Sequence, residues 1–167
     1  MLSLAVALLA LAAPVDEGPT SERADEGVEV LLRRVEATEL RFNGNLHRRV
    51  VTDDEGNVVH LLLDNMQFTT EEFRALGRIE HLERISFRRT NVSAADLKEL
   101  RGLKELVMLN LCSTELTDDA IGELVQLPAL RTLCMADVPM TPEAIELLKK
   151  EFDAQDRKLS LGYSLRK

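Results

Sequence analysis

The sequence has few of the residues that anchor tight protein interfaces or bind nucleic acid. Its 167 residues include no tryptophan and one tyrosine, and these two side chains are enriched at the energetic centres of interfaces. The 21 lysines and arginines are outnumbered by 29 aspartates and glutamates, which gives a formal net charge of −8. An acidic chain repels a phosphate backbone, so we do not expect nucleic acid as a partner.

The N-terminus is an uncharged apolar run, residues 1–13, which is too short to span a bilayer. It ends in Ala10-Leu11-Ala12, a pattern typical of signal-peptide cleavage, although no basic residue precedes it. No cysteine follows the run directly, which argues against a lipoprotein anchor. We therefore predict a signal peptide over 1–13 and a secreted or periplasmic protein. A cytoplasmic location is the alternative if the run does not act as a signal.

Large apolar residues recur every 24 residues along most of the remaining chain. Three of the aligned sets are Leu61, Ile85, Leu109 and Leu133; Leu63, Phe87, Leu111 and Met135; and Phe73, Leu97, Ile121 and Ile145. Good helix N-cap residues recur with the same period, at Thr69, Ser93, Thr117 and Thr141. A fixed period of this length indicates a stack of similar units. Each unit is predicted to be a short strand, a turn and a capped helix.

Two units show the pattern most clearly, LERISFRRTNVSAADLKELRGLKE and LVMLNLCSTELTDDAIGELVQLPA. The pattern resembles the leucine-rich repeat family, and in particular its bacterial secreted members. The resemblance implies an α/β fold: a short right-handed solenoid with a parallel sheet on its concave face, helices on its convex face and partner binding on the concave sheet. The family's usual asparagine is replaced by Met66, Thr90, Thr114 and Val138, so these turns need other hydrogen-bond partners.

Two segments separate the apolar run from the repeats. Residues 14–26 are acidic and are predicted to form a disordered tether. Residues 27–57 are predicted to cap the solenoid with an amphipathic helix that stops at Asn43-Gly44, followed by a hairpin strand before the turn at 53–57. In the alternative, Asn43-Gly44 is itself a hairpin turn that follows an extra strand at 40–42. The repeats occupy 58–167 and finish with a strand at 158–162.

Strand residues alternate in direction, so the register also predicts the open face of the sheet. The candidate binding residues on that face are His60, Arg84, Ser86, Arg88, Met108, Asn110, Thr132, Cys134 and Lys158. Basic residues at the ends of this face contrast with the acidic remainder, which favours a partner with an acidic patch. The alternative explanation is that solvated strand positions tolerate arginine and lysine freely.

Cys112 and Cys134 are predicted to lie diagonally on adjacent strands, about 8 Å apart at Cα. A disulfide needs roughly 7 Å or less, so we expect two free thiols. No histidine occupies a neighbouring outward position to serve as a base, which disfavours an enzyme that uses Cys112 or Cys134. The acids at the helix starts lie on separate turns, so they are not expected to converge on a metal ion.

The leading hypothesis is a non-catalytic protein–protein interaction module, monomeric and without cofactor or metal. Its concave face would bind a protein or peptide. The main alternative is a structural or glycan-binding envelope component that assembles through the exposed end after Lys158. A thiol-dependent enzyme is the least favoured hypothesis.

Overall fold

The computed structural model describes residues 21–42 and 45–165. The predicted signal peptide and residues 14–20 of the predicted tether lie outside the described residues. The helices are α1 (Ser21–Ala37), α2 (Thr70–Leu76), α3 (Ala94–Glu99), α4 (Ile121–Val125) and α5 (Pro142–Ala154), with 3₁₀ turns at Leu100–Gly102 and Asp118–Ala120. The strands are β1 (Leu40–Phe42), β2 (Asn45–His47), β3 (Val50–Thr52), β4 (Val58–Leu62), β5 (Arg84–Ser86), β6 (Met108–Asn110), β7 (Thr132–Val138) and β8 (Ser160–Leu165).

One sheet holds β3 to β8 in sequence order, and every pair except the antiparallel β3–β4 pair is parallel. His60 pairs with Arg84, Arg84 with Met108 and Met108 with Thr132, so the 24-residue period of the sequence is the register of the sheet. The helices also stack in sequence order, each against the next. The fold is therefore mixed α/β with a mainly parallel sheet.

The core lies between the sheet and the helices. The aligned strand residues Leu61, Ile85 and Leu109 are fully or almost fully buried. Near the N-terminal end three phenylalanines pack together, and the ring centroids of Phe73 and Phe87 are 5.5 Å apart. No unit encloses its own apolar side chains, because each contributes one short strand and one short helix.

The turns after the strands repeat one backbone conformation. Asn65, Arg89, Ser113 and Asp137 all have φ between 55° and 60°, the left-handed region that asparagine and aspartate tolerate best among residues with a Cβ. The buried threonines that follow two of them fold back on their own turns: Thr90 Oγ1 donates to Phe87 O at 2.8 Å and Thr114 Oγ1 to Leu111 O at 2.7 Å.

Asn91 joins two adjacent units. Its Nδ2 donates to Phe68 O at 2.8 Å and its Oδ1 accepts from Phe68 N at 2.9 Å. Thr90 stands at the position where the resemblance leads one to expect an asparagine that joins neighbouring units. Asn91, one position later, makes such a link here. Sequence analysis missed this role, because Asn91 has no counterpart in the other units.

A buried arginine closes the N-terminal end of the sheet. Arg49 is 5% exposed, and its guanidinium donates to the carbonyl oxygens of Thr38 (2.7 Å), Leu62 (2.8 Å), Asp64 (3.1 Å) and Glu39 (3.2 Å). Burial lowers the pKa of Arg49, and the nearby Asp64 carboxylate partly offsets that effect. The side chain ties α1 to the first parallel strand.

A second arginine closes the C-terminal end in the same way. Arg157 donates to the carbonyl oxygens of Val125 (2.9 Å), Leu130 (3.3 Å) and Leu127. Its guanidinium carbon lies 4.3 Å from the centroid of the Phe152 ring. Burial lowers the pKa of Arg157. These bonds hold the segment after α5 against the preceding unit.

The N-terminal cap differs from the favoured prediction. Leu31 and Val35 are buried as expected, but α1 ends at Ala37 rather than at Asn43. β1 and β2 form an antiparallel pair, as in the alternative with a strand at 40–42; residues 43 and 44 themselves are outside the described ranges. The carbonyl oxygens of Thr38 and Glu39, the two residues after the helix, accept from the Arg49 guanidinium instead of from a further helical turn. α1 begins at Ser21, so residues 21–26 of the predicted tether are helical.

The last strand is two residues later than predicted. Thr132 pairs with Ser160 rather than Lys158, and β8 runs from Ser160 to Leu165. α5 is longer than α2, α3 and α4. The connection after it contains Asp156 at φ 53° and the anchored Arg157. Lys158 therefore precedes the strand.

Three of the four predicted N-caps are formed. The hydroxyls of Thr69, Ser93 and Thr141 each accept from a backbone N–H of the first helical turn, and Glu72 and Asp96 complete capping boxes on the first two. Thr117 makes no cap, because its hydroxyl donates to the Asp119 carboxylate at 2.5 Å.

This difference predicts different costs for two similar substitutions. Ser93→Ala should lower the free energy of unfolding by about 1 kcal/mol, because a satisfied N-cap is lost. Thr117→Ala should change it by less than about 0.5 kcal/mol, since the side chain is exposed and caps no helix. Urea denaturation of both variants measures the two values. Equal losses would contradict the assignment of the caps.

Candidate binding face

The open face of the sheet contains a shallow pocket of about 360 Å³ between β4, β5 and β6. Its lining residues are His60, Leu61, Leu62, Asp64, Arg84, Ile85, Ser86, Met108 and Asn110. Five of the predicted binding residues therefore meet in one place: His60, Arg84, Ser86, Met108 and Asn110. Sequence analysis left Leu62 and Asp64 out of the site, although the same register points both to this face.

The other predicted residues lie elsewhere. Thr132 and Cys134 continue the rows of Met108 and Asn110 onto β7, and Arg88 lies two residues after the end of β5. Lys158 does not belong to this set, because the shift of β8 places it before the strand. The candidate face therefore covers β4 to β7.

A chain of hydrogen bonds crosses the face. Ser86 Oγ donates to Asp64 Oδ1 at 2.5 Å, and Asn110 Nδ2 donates to Ser86 Oγ at 3.0 Å. The backbone N–H of Cys112 donates to Asn110 Oδ1 at 3.0 Å. Ser86 is buried, and its hydroxyl links β5 to Asp64 and Asn110. Its role as a contact residue stays a prediction.

The side chains of Arg84, on β5, and Arg88, in the turn after β5, do not take part in this chain of hydrogen bonds. Arg84 is exposed and Arg88 is half-buried. The backbone oxygen of Arg88 accepts from Asn65 N at 2.9 Å, but within residues 21–42 and 45–165 neither arginine side chain is in an ion pair or hydrogen bond. On the helical side, arginines meet acids of the neighbouring helix: Arg34 lies 2.8 Å from Glu72, Arg74 3.7 Å from Glu99 and Arg101 2.5 Å from Glu123. The arginine side chains that are not ion-paired thus lie on the sheet face, where Leu62, Met108 and Asp64 line the same pocket as Arg84.

His60 is the third basic residue of this face. Its Nε2 lies 3.8 Å from the Glu83 carboxylate, and its side chain is about one-third exposed (30%). The histidine therefore has an acidic neighbour at the rim of the pocket. Arg84 and Arg88 are left as the cations available to a partner.

The two cysteines occupy the positions that the register predicts. Cys134 pairs with Asn110, and the backbone N–H of Ala136 donates to the sulfur of Cys112 at 3.3 Å. Both thiols are free and half-buried. Burial, and to a smaller extent the charge of a Cys112 thiolate, raise the pKa of Cys134. A thiol with a raised pKa has little thiolate at neutral pH, which weakens it as a nucleophile.

None of the described helices is long and apolar enough to cross a membrane. Within residues 21–42 and 45–165, no three histidine, cysteine, aspartate or glutamate side chains are grouped as metal ligands.

Comparison with known proteins adds little to this geometry. No protein-family model matches the chain, and no curated protein matches it. Among solved structures, the crystal structure of PEPR1–AtPEP1 is similar to 86% of this chain, with a TM-score of 0.45 and 15% sequence identity. This chain spans 25% of that chain's length. At that TM-score the similarity supports no conclusion about fold or function.

The raised pKa of Cys134 predicts a shifted reactivity profile. In Cys112→Ser, the alkylation rate of Cys134 should rise with pH around a midpoint above that of a small free thiol, because burial remains. In the wild type the midpoint of Cys134 should be higher still, because a Cys112 thiolate opposes a second charge. Mass spectrometry of alkylated peptides over a pH series measures both. A midpoint below that of the free thiol would contradict the burial of Cys134.

Proposed function

We propose that the chain is a non-catalytic binding module of the leucine-rich repeat type. The 24-residue register of the parallel strands, the stacked helices and the left-handed residue that recurs in each turn support this assignment. In such a module the exposed side of the sheet is the working surface, and the helices form the opposite side. The partner is a protein or peptide segment.

The observation that carries the proposal is the placement of charge. The chain is acidic, yet its open sheet face presents the arginine side chains of Arg84 and Arg88, neither of them in an ion pair within the described residues, beside the pocket that contains Leu62 and Met108. Asp64, the acid in this pocket, already accepts a hydrogen bond from Ser86. This combination fits a segment with an acidic side chain adjacent to an apolar one. The carboxylate would pair with an arginine, and the apolar side chain would contact Leu62 and Met108.

The binding is proposed to be weak. The face has no tryptophan or tyrosine on β4 to β7, and these residues supply much of the energy of tight interfaces. A dissociation constant of about 1–100 μM is the expected range for a small face of this kind. We also propose export, on the strength of residues 1–13, with the two free thiols as an unusual feature for an exported protein.

Charge reversal of the face tests this proposal. Peptides selected from a random display library on the immobilised protein should be enriched in acidic residues beside apolar ones. The double variant Arg84→Glu, Arg88→Glu should weaken their binding by about tenfold or more, because attraction is replaced by repulsion. Its free energy of unfolding should change by less than about 0.5 kcal/mol, since neither arginine side chain has a partner in the described chain.

A matched control is available on another surface. Arg78→Glu with Lys98→Glu makes the same change in net charge on exposed residues outside the sheet. This variant should bind the selected peptides as the wild type does, apart from a small general effect that added salt removes. Equal losses in the two double variants, or no loss in either, would contradict the assignment of the sheet face.

A further inference from the structure

The two edges of the sheet are built differently. At the N-terminal edge, β3 has three residues and leads into an acidic turn that begins with Asp53 and Asp54. At the C-terminal edge, β8 has six residues, Ser160–Leu165, with no charge and no proline. Proteins usually protect an edge strand by making it short, charged or bent, since a free edge pairs with other strands. β3 is protected in this way and β8 is not.

The backbone of β8 has hydrogen-bonding groups on its outer side. The N–H of Ser160 donates to Arg131 O at 2.7 Å, which directs Ser160 toward β7. The backbone N–H and C=O groups of successive residues point to opposite sides of a strand. Those of Leu161 and Tyr163 therefore point away from β7. β7 is the only strand beside β8 in the described part of the chain.

Apolar surface accompanies this edge. Tyr163 is 44% exposed, whereas most large apolar residues are buried. Leu159 and Leu161 are half-buried, and with Lys149 and Asp153 they line a cavity of about 320 Å³ beneath the edge. The end of the stack is thus only partly covered by α5.

We propose that a second copy of this chain covers the edge, with its β8 antiparallel to the first about a twofold axis at Gly162. This register places Leu161 of each copy opposite Tyr163 of the other, and both residues have their backbone groups directed outward, as a hydrogen-bonded pair requires. Gly162 then faces its own copy in the close, non-hydrogen-bonded pair, where Cα atoms approach to about 4.5 Å. The sheet continues from one copy into the other.

The charges beneath the edge are self-complementary in the same arrangement. Lys149 Nζ lies 5.2 Å from the centroid of the Tyr163 ring and 2.7 Å from Glu146 Oε1 on its own helix. Asp153 lines the cavity with Leu159 and Leu161. A twofold axis that sets Tyr163 opposite Leu161 therefore sets Lys149 opposite Asp153 of the second copy. An isologous interface requires this kind of match, because one patch must fit itself. This proposed dimer differs from the monomer that the sequence analysis expects.

A charge exchange tests both the interface and its symmetry. Lys149→Asp and Asp153→Lys each create like-charge contacts across the axis. Each variant alone should therefore raise the dissociation constant of the dimer by more than about tenfold. A mixture of the two variants should form a heterodimer, because both contacts then join opposite charges. Sedimentation equilibrium from about 1 μM to about 1 mM covers the dissociation constants expected of a small interface.

Lys150→Asp is the matched control, since Lys150 is exposed on the same helix but does not line the cavity. It should leave the dimer unchanged. Circular dichroism should show that all variants remain folded, because Lys150 and Asp153 are exposed and Lys149 is only half-buried. A wild type that stays monomeric up to the highest concentration would overturn the proposal and leave the edge to a different chain. A dimer that tolerates both single variants as it tolerates the control would also overturn it.

Discussion

A strand–helix unit of this protein buries its apolar residues only against its two neighbours. Leu109 is fully buried because the units before and after it supply aligned side chains, Ile85 and Leu133. A stack of this kind has two ends at which the next unit is missing, and the free backbone carbonyls there need partners. Arg49 and Arg157 supply donors at the two ends, each to carbonyl oxygens and neither to a carboxylate. The guanidinium group suits this role because it presents several donors in a fixed plane.

The same stacking separates the charges of the surface. Acids and bases on adjacent helices come together across the units, so the helical side is largely compensated, as in the Arg101–Glu123 pair. On the sheet face the aligned residues are His60, Arg84, Met108 and Thr132, and no acid lies in that row to compensate Arg84. The proposed binding face and the proposed dimer edge therefore arise from one architecture. One uses the broad side of the sheet, and the other uses its unprotected last strand.

Periodicity predicted what depends on repetition. The strand register, the outward position of Arg84 and Met108, and three of the four helix caps follow from residues that recur every 24 positions. Features that occur once were missed. Asn91 joins two units without an equivalent elsewhere, and the two closing arginines are single residues in segments that do not repeat. Thr117 failed as a cap because Asp119, two residues later, competes for its hydroxyl.

The register also failed where the unit length changes. The prediction for the last strand was displaced because α5 and the connection after it are longer than in the other units, and a fixed period cannot measure an insertion. Lys158 was therefore assigned to the sheet, although the strand begins after it. Its neighbour Arg157 is the residue of this connection that bonds the preceding unit, through the carbonyl oxygen of Val125. A side chain that acts through backbone carbonyls leaves no pattern of its own in a sequence.

Closure of the stack by Arg49 and Arg157 is the central claim, and the stability of Arg157→Leu tests it most directly. The substitution keeps much of the apolar contact with Phe152 but removes the donors to Val125, Leu127 and Leu130. Guanidinium chloride denaturation should show a loss of about 2–4 kcal/mol in the free energy of unfolding, because buried carbonyls lose their partners. Lys158→Leu, at the exposed next position, should change it by less than about 0.5 kcal/mol. An Arg157→Leu variant as stable as that control would contradict the account.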